Sequence, residues 1–242
     1  MSGNKVERSE SGAPILRHEP GEREWRVPRH AAENLDEVTA HVERHIGNVE
    51  TVWHEILSDL IHLDVLLVPA TAERPYNVLV TSGVSDEPMK VPEGREMHRR
   101  AELLIALPED WPLTEDAFKD ETNYWPVRWL KTVGRLPHEH RTWIGWGHSI
   151  PNGDPAQPIA GTGFIGVMLT PPYGLSPDLF CLTTKAGETV WFYMLVPLFQ
   201  EEMDLKLKIG AEGVEQRLEK ARVGFVLDVD RANVAMKKGW FR

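Results

Sequence analysis

The sequence predicts an α/β fold of the α+β kind, in which helices flank a mixed, largely antiparallel central sheet. Three observations support this prediction. Apolar residues alternate through residues 60–68 and again through 78–81, and the short connection between these segments predicts an antiparallel pair of strands. Residues 189–197 are apolar on both faces, which is typical of a central strand covered on both sides. A helical apolar stripe is formed by Leu35, Val38, Val42 and Ile46.

The boundaries of the helices are predicted from capping and breaking residues. Asn34 begins the first helix with Glu37 as its capping-box partner, and Gly47 ends it. Pro126 fits the first turn of a second helix, which Pro137 ends. The other predicted elements are strands over 101–107, 164–169, 179–184 and 225–229, helices over 201–209 and 212–222, and a long loop over 138–163.

Composition divides the chain into three parts. Residues 1–32 are polar with scattered apolar side chains, which predicts a flexible arm. Residues 33–235 contain no linker and predict a single domain, which residues 236–242 follow as a short tail. A chain of this length buries enough apolar surface to fold without a disulfide or a metal ion. The docking points predicted in the arm are Ile15, Leu16 and Trp25.

The chain is acidic, with a net charge of −10 and a pI near 5.5. Such a field repels phosphate backbones, so nucleic acid is not predicted as a partner. The charge suits a basic protein partner, and solubility alone is the alternative explanation. The single cysteine, Cys181, excludes an intrachain disulfide and fits a cytoplasmic location. The apolar run over residues 190–199 is too short to span a membrane, so no membrane association is predicted.

Five ionisable residues near the first strand are candidates for chemistry. His54, Glu55, Asp59, His62 and Asp64 raise the hypothesis of a metal-dependent or acid–base enzyme. On a strand His62 and Asp64 share one face, but a catalytic zinc ion needs a third protein ligand from elsewhere. The alternative is a hydrogen-bonded polar pair on a half-buried face. We prefer that alternative, so no catalytic residue and no bound metal are predicted.

Two other candidate nucleophile sites have a structural interpretation. Ser82 and Asp86 lie in a turn after the second strand, where their side chains are expected to cap the backbone. Their spacing does not match the Gly-x-Ser-x-Gly motif of serine hydrolases. Cys181 has apolar neighbours and is expected to be a small buried side chain.

The predicted long loop contains a cluster of aromatic and imidazole side chains. Its members are His138, His140, Trp143, Trp146 and His148. Packing on the core, a partner-binding surface built on the tryptophans, and a metal or acid–base role all remain open. The chain has no glycine-rich phosphate cradle, and no cofactor is predicted.

Several motifs occur in an order that resembles the suppressor of fused domain family. The first is HEIxSDxIHxD at 54–64, and PxTxxRPY at 69–76 follows it. The third is LVTSGxSDxPM at 79–89, in which Val84 stands where methionine is expected. The others are AELxIxLPxxW at 101–111, GHSI at 147–150 with Ser149 in place of threonine, VPLFxEE at 196–202 and DxDR at 228–231.

The resemblance implies a fold like that of the N-terminal domain of the family and a non-enzymatic role in protein binding. The animal member grips an extended peptide by strand addition. Stand-alone bacterial members are thought to include immunity proteins of toxin systems, which implies a toxin-like partner. The resemblance also implies that the polar residues of the motifs have structural roles. These residues are His54, Glu55, Asp59, His62, Asp64, Arg74, Ser82, Asp86, His148, Asp228 and Arg231. The residues predicted to contact a partner are Trp143 and Trp146.

Overall fold

One eight-stranded sheet organises the described part of the chain. The structure is a computed structural model that describes residues 7–18, 34–55 and 60–236. Its strands are β1 (Thr51–Trp53), β2 (Asp64–Val68), β3 (Tyr76–Ser82), β4 (Ala101–Pro108), β5 (Ser149–Pro151), β6 (Gly166–Thr170), β7 (Cys181–Thr183) and β8 (Thr189–Leu198). Its helices are α1 (Leu35–His45), α2 (Glu121–Glu139) and α3 (Gln200–Lys220).

The strands lie in the order β1-β2-β3-β4-β8-β6-β5, and β7 pairs with β8 beside β6. Every pairing between these strands is antiparallel except that of β4 with β8. The predicted mixed, largely antiparallel sheet with flanking helices is therefore confirmed. β8 is an interior strand, as its two apolar faces predict.

Apolar side chains cover both faces of the sheet. Val65 and Leu67 of β2 face one layer, where they join the buried side chains of α2. Leu66 and Val68 face the other layer, where α1 contributes Val38 and Val42. The alternation along β2 thus places α1 and α2 on opposite faces of the sheet. α3 packs on β6 and the end of β8 through a third cluster that includes Met168, Leu198, Val214 and Leu218.

α1 lies between Asn34 and Gly47 as predicted, but its capping and both ends of α2 differ from the predictions. Asn34 precedes α1 but does not cap it, because its side chain donates to the Ser85 carbonyl, while Glu37 accepts from the Lys185 amide. α2 begins well before Pro126, since Asp120 accepts a hydrogen bond from the Thr122 amide and caps the helix there. Pro137 lies in the last turn of α2 and does not end it.

Two strand predictions and one loop prediction need correction. β2 begins at Asp64 and not at residue 60, because Leu60 adopts a left-handed φ of 66° that interrupts the extended chain. The predicted long loop over 138–163 contains the end of α2 and the short strand β5. Residues 225–229 form only a single bridge, between Ala106 and Val226, and the buried side chain of Leu227 accounts for their apolar pattern.

Other predictions have mixed outcomes. Cys181 is exposed on β7, so the prediction of a buried cysteine is wrong. The predicted pair of C-terminal helices is observed as two segments of α3 that meet at Gly210, whose φ is 82°.

The described part of the arm contacts α3, where the Ser11 amide donates a hydrogen bond to the Leu207 carbonyl. Trp25, Asp59 and residues 237–242 lie outside the described residues. None of the described helices has the length and apolar character that crossing a membrane requires.

Candidate functional site

Two histidines converge on one buried aspartate at the start of β2. His54 Nδ1 lies 3.0 Å from Asp64 Oδ2, and His62 Nε2 lies 3.1 Å from Asp64 Oδ1. The Asp64 side chain is only 3% exposed, whereas that of His54 is 63% exposed. The amide of Glu55 also donates to Asp64 Oδ1. The predicted pairing of His62 with Asp64 is therefore observed, and His54 joins it.

The register of β1 on β2 explains how His54 reaches the cluster. Trp53 lies opposite Val65. His54, which follows Trp53, is therefore a neighbour of Asp64, which precedes Val65. The sequence pattern did not reveal β1, because three residues are too few to show a period of two. His54 was a candidate from the sequence, but its contact with Asp64 was therefore not predicted.

Glu55 donates its backbone amide to this cluster, but its side chain bonds to another element. Its carboxylate forms a salt bridge with Arg135 of α2, and both side chains are largely buried. The bridge links the segment after β1 to the helix that covers this face of the sheet. The Glu55 carboxylate thus serves a contact between two elements.

A second buried carboxylate binds the turn that follows β3. Glu102 of β4 is completely buried, and it accepts hydrogen bonds from Thr81 Oγ1 at 2.5 Å, the Gly83 amide at 3.1 Å and the Ser85 amide at 2.9 Å. Burial raises the pKa of Glu102 to about 7, against the opposing effect of these hydrogen bonds. Glu102 was not predicted as a functional or structural site, although a glutamate inside an apolar strand was a visible signal.

The turn itself requires glycine at position 83. Gly83 has a φ of 110°, and a Cβ atom there would lie 1.9 Å from the His62 carbonyl oxygen. Ser82 is buried at the end of β3, and Asp86 accepts a hydrogen bond from the Asn34 amide at 3.0 Å. The turn is therefore joined to β4 through Glu102 and to the start of α1 through Asp86, and the predicted capping of the local backbone by Ser82 and Asp86 stays a prediction.

Two further motif residues fix loops. Arg74 donates to the carbonyls of Pro69 and Tyr76, so it holds the connection between β2 and β3. Asp228 accepts from the Asp230 amide at 3.0 Å and caps a turn near the C-terminus. Both contacts are made to the backbone, as is common for polar residues in turns.

Arg231 forms a buried ion pair with Glu202 at the start of α3. Its guanidinium donates to both carboxylate oxygens, at 2.7 and 2.6 Å, and the two side chains are 7% and 0% exposed. The rings of Phe164 and Phe199 lie 5.1 and 4.8 Å from its Cζ. Arg231 thus ties the C-terminal segment to α3 through charge and through cation–π contacts.

The aromatic residues of the predicted long loop separate into a packed group and an exposed group. Trp143 packs against the core, and its ring centroid lies 4.4 Å from that of His148. Burial, followed by the neighbouring Lys206, lowers the pKa of His148 to about 4, and burial also lowers the pKa of His138 to about 4. Both imidazoles are therefore neutral at pH 7. Trp146, in contrast, is 48% exposed.

Trp146 belongs to a surface that we call the aromatic–acidic face, formed by Trp146, Tyr173, Glu212, Glu215 and Glu219. Trp146 Nε1 donates a hydrogen bond to Glu215 Oε1 at 2.8 Å. Tyr173 is 52% exposed. Burial and then the charges of Glu215, Glu212 and Glu219 raise the pKa of Tyr173, so all three glutamates act on one phenol.

An open groove of about 320 Å³ adjoins this face. It runs beside the kink in α3 and is lined by Trp146, Gly147, Ile209, Gly210, Ala211 and Glu212. Ile209 is 42% exposed, so the groove offers apolar as well as acidic surface. A concave site with an aromatic side chain and nearby charges has the composition of a binding surface.

Comparison with known families identifies the group to which the fold belongs. Residues 59–232 match the family model described as suppressor of fused protein. The chain belongs to the suppressor of fused family. No curated protein in the comparison matches the chain. The family resemblance predicted from the sequence motifs is confirmed.

Solved suppressor of fused structures share the fold at low sequence identity. A putative homologue from Neisseria gonorrhoeae FA 1090 is 17% identical over 86% of this chain and 100% of its own, with a TM-score of 0.61. A chain of the Sufu–Fu complex is 18% identical over 86% and 93%, with a TM-score of 0.57. Drosophila Suppressor of Fused is 19% identical over 86% of this chain and 52% of its own, with a TM-score of 0.56.

Proposed function

We propose that this suppressor of fused domain is a non-enzymatic binding protein that captures a basic segment of a protein partner on its aromatic–acidic face. The observation that carries the proposal is that two exposed aromatic side chains, Trp146 and Tyr173, lie beside an acidic side of α3, where Glu215 accepts a hydrogen bond from Trp146. Tryptophan and tyrosine are the side chains most enriched among residues that dominate binding energy.

The charge of the face supports a basic partner. Glu212, Glu215 and Glu219 recur at helical spacing and therefore share one side of α3. Lysine or arginine side chains would pair with these carboxylates and stack on the exposed aromatic rings. The net charge of −10 would also attract a basic protein over distances of about 10 Å and raise its association rate.

Strand β5 supports a second part of the contact. β5 ends the sheet, and it begins just after Gly147, which lines the groove. An extended peptide added beside β5 would therefore end close to Trp146. β5 has three residues and Pro151 lacks an amide hydrogen, so its backbone offers few bonds. We infer that the aromatic–acidic face contributes most of the affinity.

The narrower proposal is that the partner is a basic toxin and that the protein acts as its immunity protein in the cytoplasm. The acidic face and the single cysteine, which fits a reducing compartment, support this proposal. We do not propose the alternative enzyme built on His54, Glu55, His62 and Asp64, because Arg135 engages the carboxylate of Glu55 that this hypothesis needs.

Replacing Trp146 with alanine is expected to weaken partner binding by about 30-fold, which corresponds to about 2 kcal/mol. The tagged full-length protein is used to co-purify its partner from the native host, and the isolated partner is then titrated calorimetrically. The matched control is Met97→Ala, which removes another exposed apolar side chain that does not line the groove. Met97→Ala is expected to bind like the wild type.

Two results would contradict the proposal. One is that no stoichiometric partner co-purifies, and the other is that Trp146→Ala and Met97→Ala bind the partner equally well. The toxin proposal has a separate test. Expression of the isolated partner in a bacterial host should stop growth, wild-type protein should restore it, and Trp146→Ala should restore it less. A partner that has no effect on growth removes the immunity role while leaving protein binding intact.

A further inference from the structure

The cluster of His54, His62 and Asp64 has the chemistry of a metal site. Each residue presents one ligand atom, and these three atoms all lie within 4.8 Å of one another. Two imidazole nitrogens and one carboxylate oxygen are the donor set that proteins use for Zn²⁺ and related ions. Mg²⁺ and Ca²⁺ prefer oxygen ligands alone, so the imidazoles disfavour them.

We propose that His54, His62 and Asp64 bind one divalent transition-metal ion, for which Zn²⁺ is the best match. A tetrahedral zinc ion with ligand bonds near 2.1 Å separates its ligand atoms by about 3.4 Å. The two imidazole nitrogens lie 3.0 and 3.1 Å from the Asp64 carboxylate, each from a different oxygen, so both are already near the required spacing from this ligand group. The exposed ring of His54 can turn to close the remaining distance to His62, since its side chain is 63% exposed.

The surrounding fold holds two of the ligands in place. Asp64 is fixed by its position in β2 opposite Ser82, and its carboxylate is buried. His62 lies two residues earlier, and its side chain is 25% exposed. Bound metal would therefore connect the segment after β1 to the start of β2. Because one ligand is exposed, the fourth coordination position would face solvent, as in sites that exchange a water molecule.

A hydrogen-bonded cluster without metal is the competing arrangement. In that arrangement each imidazole donates a hydrogen bond to Asp64, which satisfies the buried carboxylate. Metal binding requires the same nitrogens to be unprotonated, so each neutral imidazole must carry its hydrogen on the other ring nitrogen. The two arrangements therefore differ in whether the cluster takes up Zn²⁺ specifically, which is directly measurable in the absence of any protein partner.

The test uses the full-length protein after treatment with EDTA and removal of the chelator. Titration with ZnCl₂ is followed by calorimetry, and unfolding temperature is measured with and without Zn²⁺. We expect one ion per chain and a higher unfolding temperature. His54→Ala should weaken Zn²⁺ binding by more than about tenfold, which is the smallest loss seen for supporting residues of zinc sites. His54 is chosen because its exposure makes misfolding of the variant improbable.

The matched control is His98→Ala, which removes a histidine that stacks on Trp191 and is remote in sequence from the cluster. It should bind Zn²⁺ like the wild type. His62→Ala provides a second variant, and its circular dichroism spectrum must match that of the wild type. Co²⁺ should give the absorption of a tetrahedral site in the wild type and lose it in both cluster variants. Binding that does not saturate, or that His54→Ala and His98→Ala weaken equally, would overturn the proposal.

Discussion

Replacing Arg231 with alanine is expected to lower the free energy of unfolding by about 3–5 kcal/mol, because it leaves a buried carboxylate without its positive partner. Glu202 is completely buried, and its two carboxylate oxygens accept hydrogen bonds from the two terminal nitrogens of the Arg231 guanidinium. The variant also removes the hydrogen bond from Arg231 to the Pro197 carbonyl and the contacts with Phe164 and Phe199. Urea unfolding followed by tryptophan fluorescence measures the change.

A surface arginine gives the matched control. Arg128 pairs with Glu121 at 2.6 Å, but these side chains are 38% and 48% exposed. Arg128→Ala is expected to change stability by about 0–1 kcal/mol, since solvent screens an exposed ion pair. Adding Glu202→Gln to Arg231→Ala should recover part of the loss, because it removes the unpaired charge. Equal losses in Arg231→Ala and Arg128→Ala would show that the buried pair contributes no more than a surface pair.

The sequence was most informative where one local pattern determines the structure. The alternation along residues 60–68 and 78–81 predicted which side chains face each layer. Strands occur over 64–68 and 76–82 with the predicted antiparallel pairing. The two apolar faces of residues 189–197 predicted an interior strand for the same reason. These patterns reflect burial, because successive residues of a strand face opposite sides of the sheet and each side is either buried or exposed.

Pairing between distant segments was not predictable from the same patterns. β1 and β5 contain three residues each, so they show no period, and only their neighbours in the sheet define them. Residues 225–229 are the reverse case, in which the pattern predicts a strand that does not form. Leu227 is buried and gives a strand-like pattern, although only one bridge forms. A hydrophobic period therefore predicts a buried face better than it predicts the length of a ladder.

The candidate sites also contain contacts that are local in sequence, which could be predicted, and contacts between distant segments, which could not. His62 and Asp64 were predicted to share a face because they lie on one segment, whereas His54 reaches them only through the β1–β2 register. Arg231 was noted as a motif residue, but its partner Glu202 could not be assigned from sequence. Likewise, the face around Trp146 depends on glutamates of α3 that lie far along the chain. Sequence identified residue types, and the fold determined their partners.

Replacing Glu102 with glutamine is expected to change how stability depends on pH. Glu102 is completely buried, and burial raises its pKa from an ordinary 4.5 to about 7 in the folded protein. Between these values the folded state holds a proton that the unfolded state has released. The contribution of Glu102 to stability is therefore fully present below pH 4.5 and falls as the pH rises towards 7, by about 3 kcal/mol in total.

Two histidines act in the opposite direction, so the variant must be compared with the wild type at each pH. Burial lowers the pKa of His138 and of His148 to about 4, from an ordinary 6.5. Each therefore destabilises the fold as the pH falls below 6.5, because the unfolded chain then binds protons that the folded protein does not. Subtracting the wild-type profile from that of Glu102→Gln cancels both histidine contributions and isolates residue 102.

Glutamine is the informative replacement because it resembles the protonated carboxyl. Its oxygen can accept from the Gly83 and Ser85 amides, and its amino group can donate to Thr81 Oγ1. Relative to the wild type, Glu102→Gln should gain about 3 kcal/mol of stability between pH 4.5 and 7, measured by urea unfolding across that range. Profiles that stay parallel would show that Glu102 has the same pKa in both states. In that case the three donors of the turn offset the burial of the charge completely, and Glu102 is ionised in the folded protein at neutral pH.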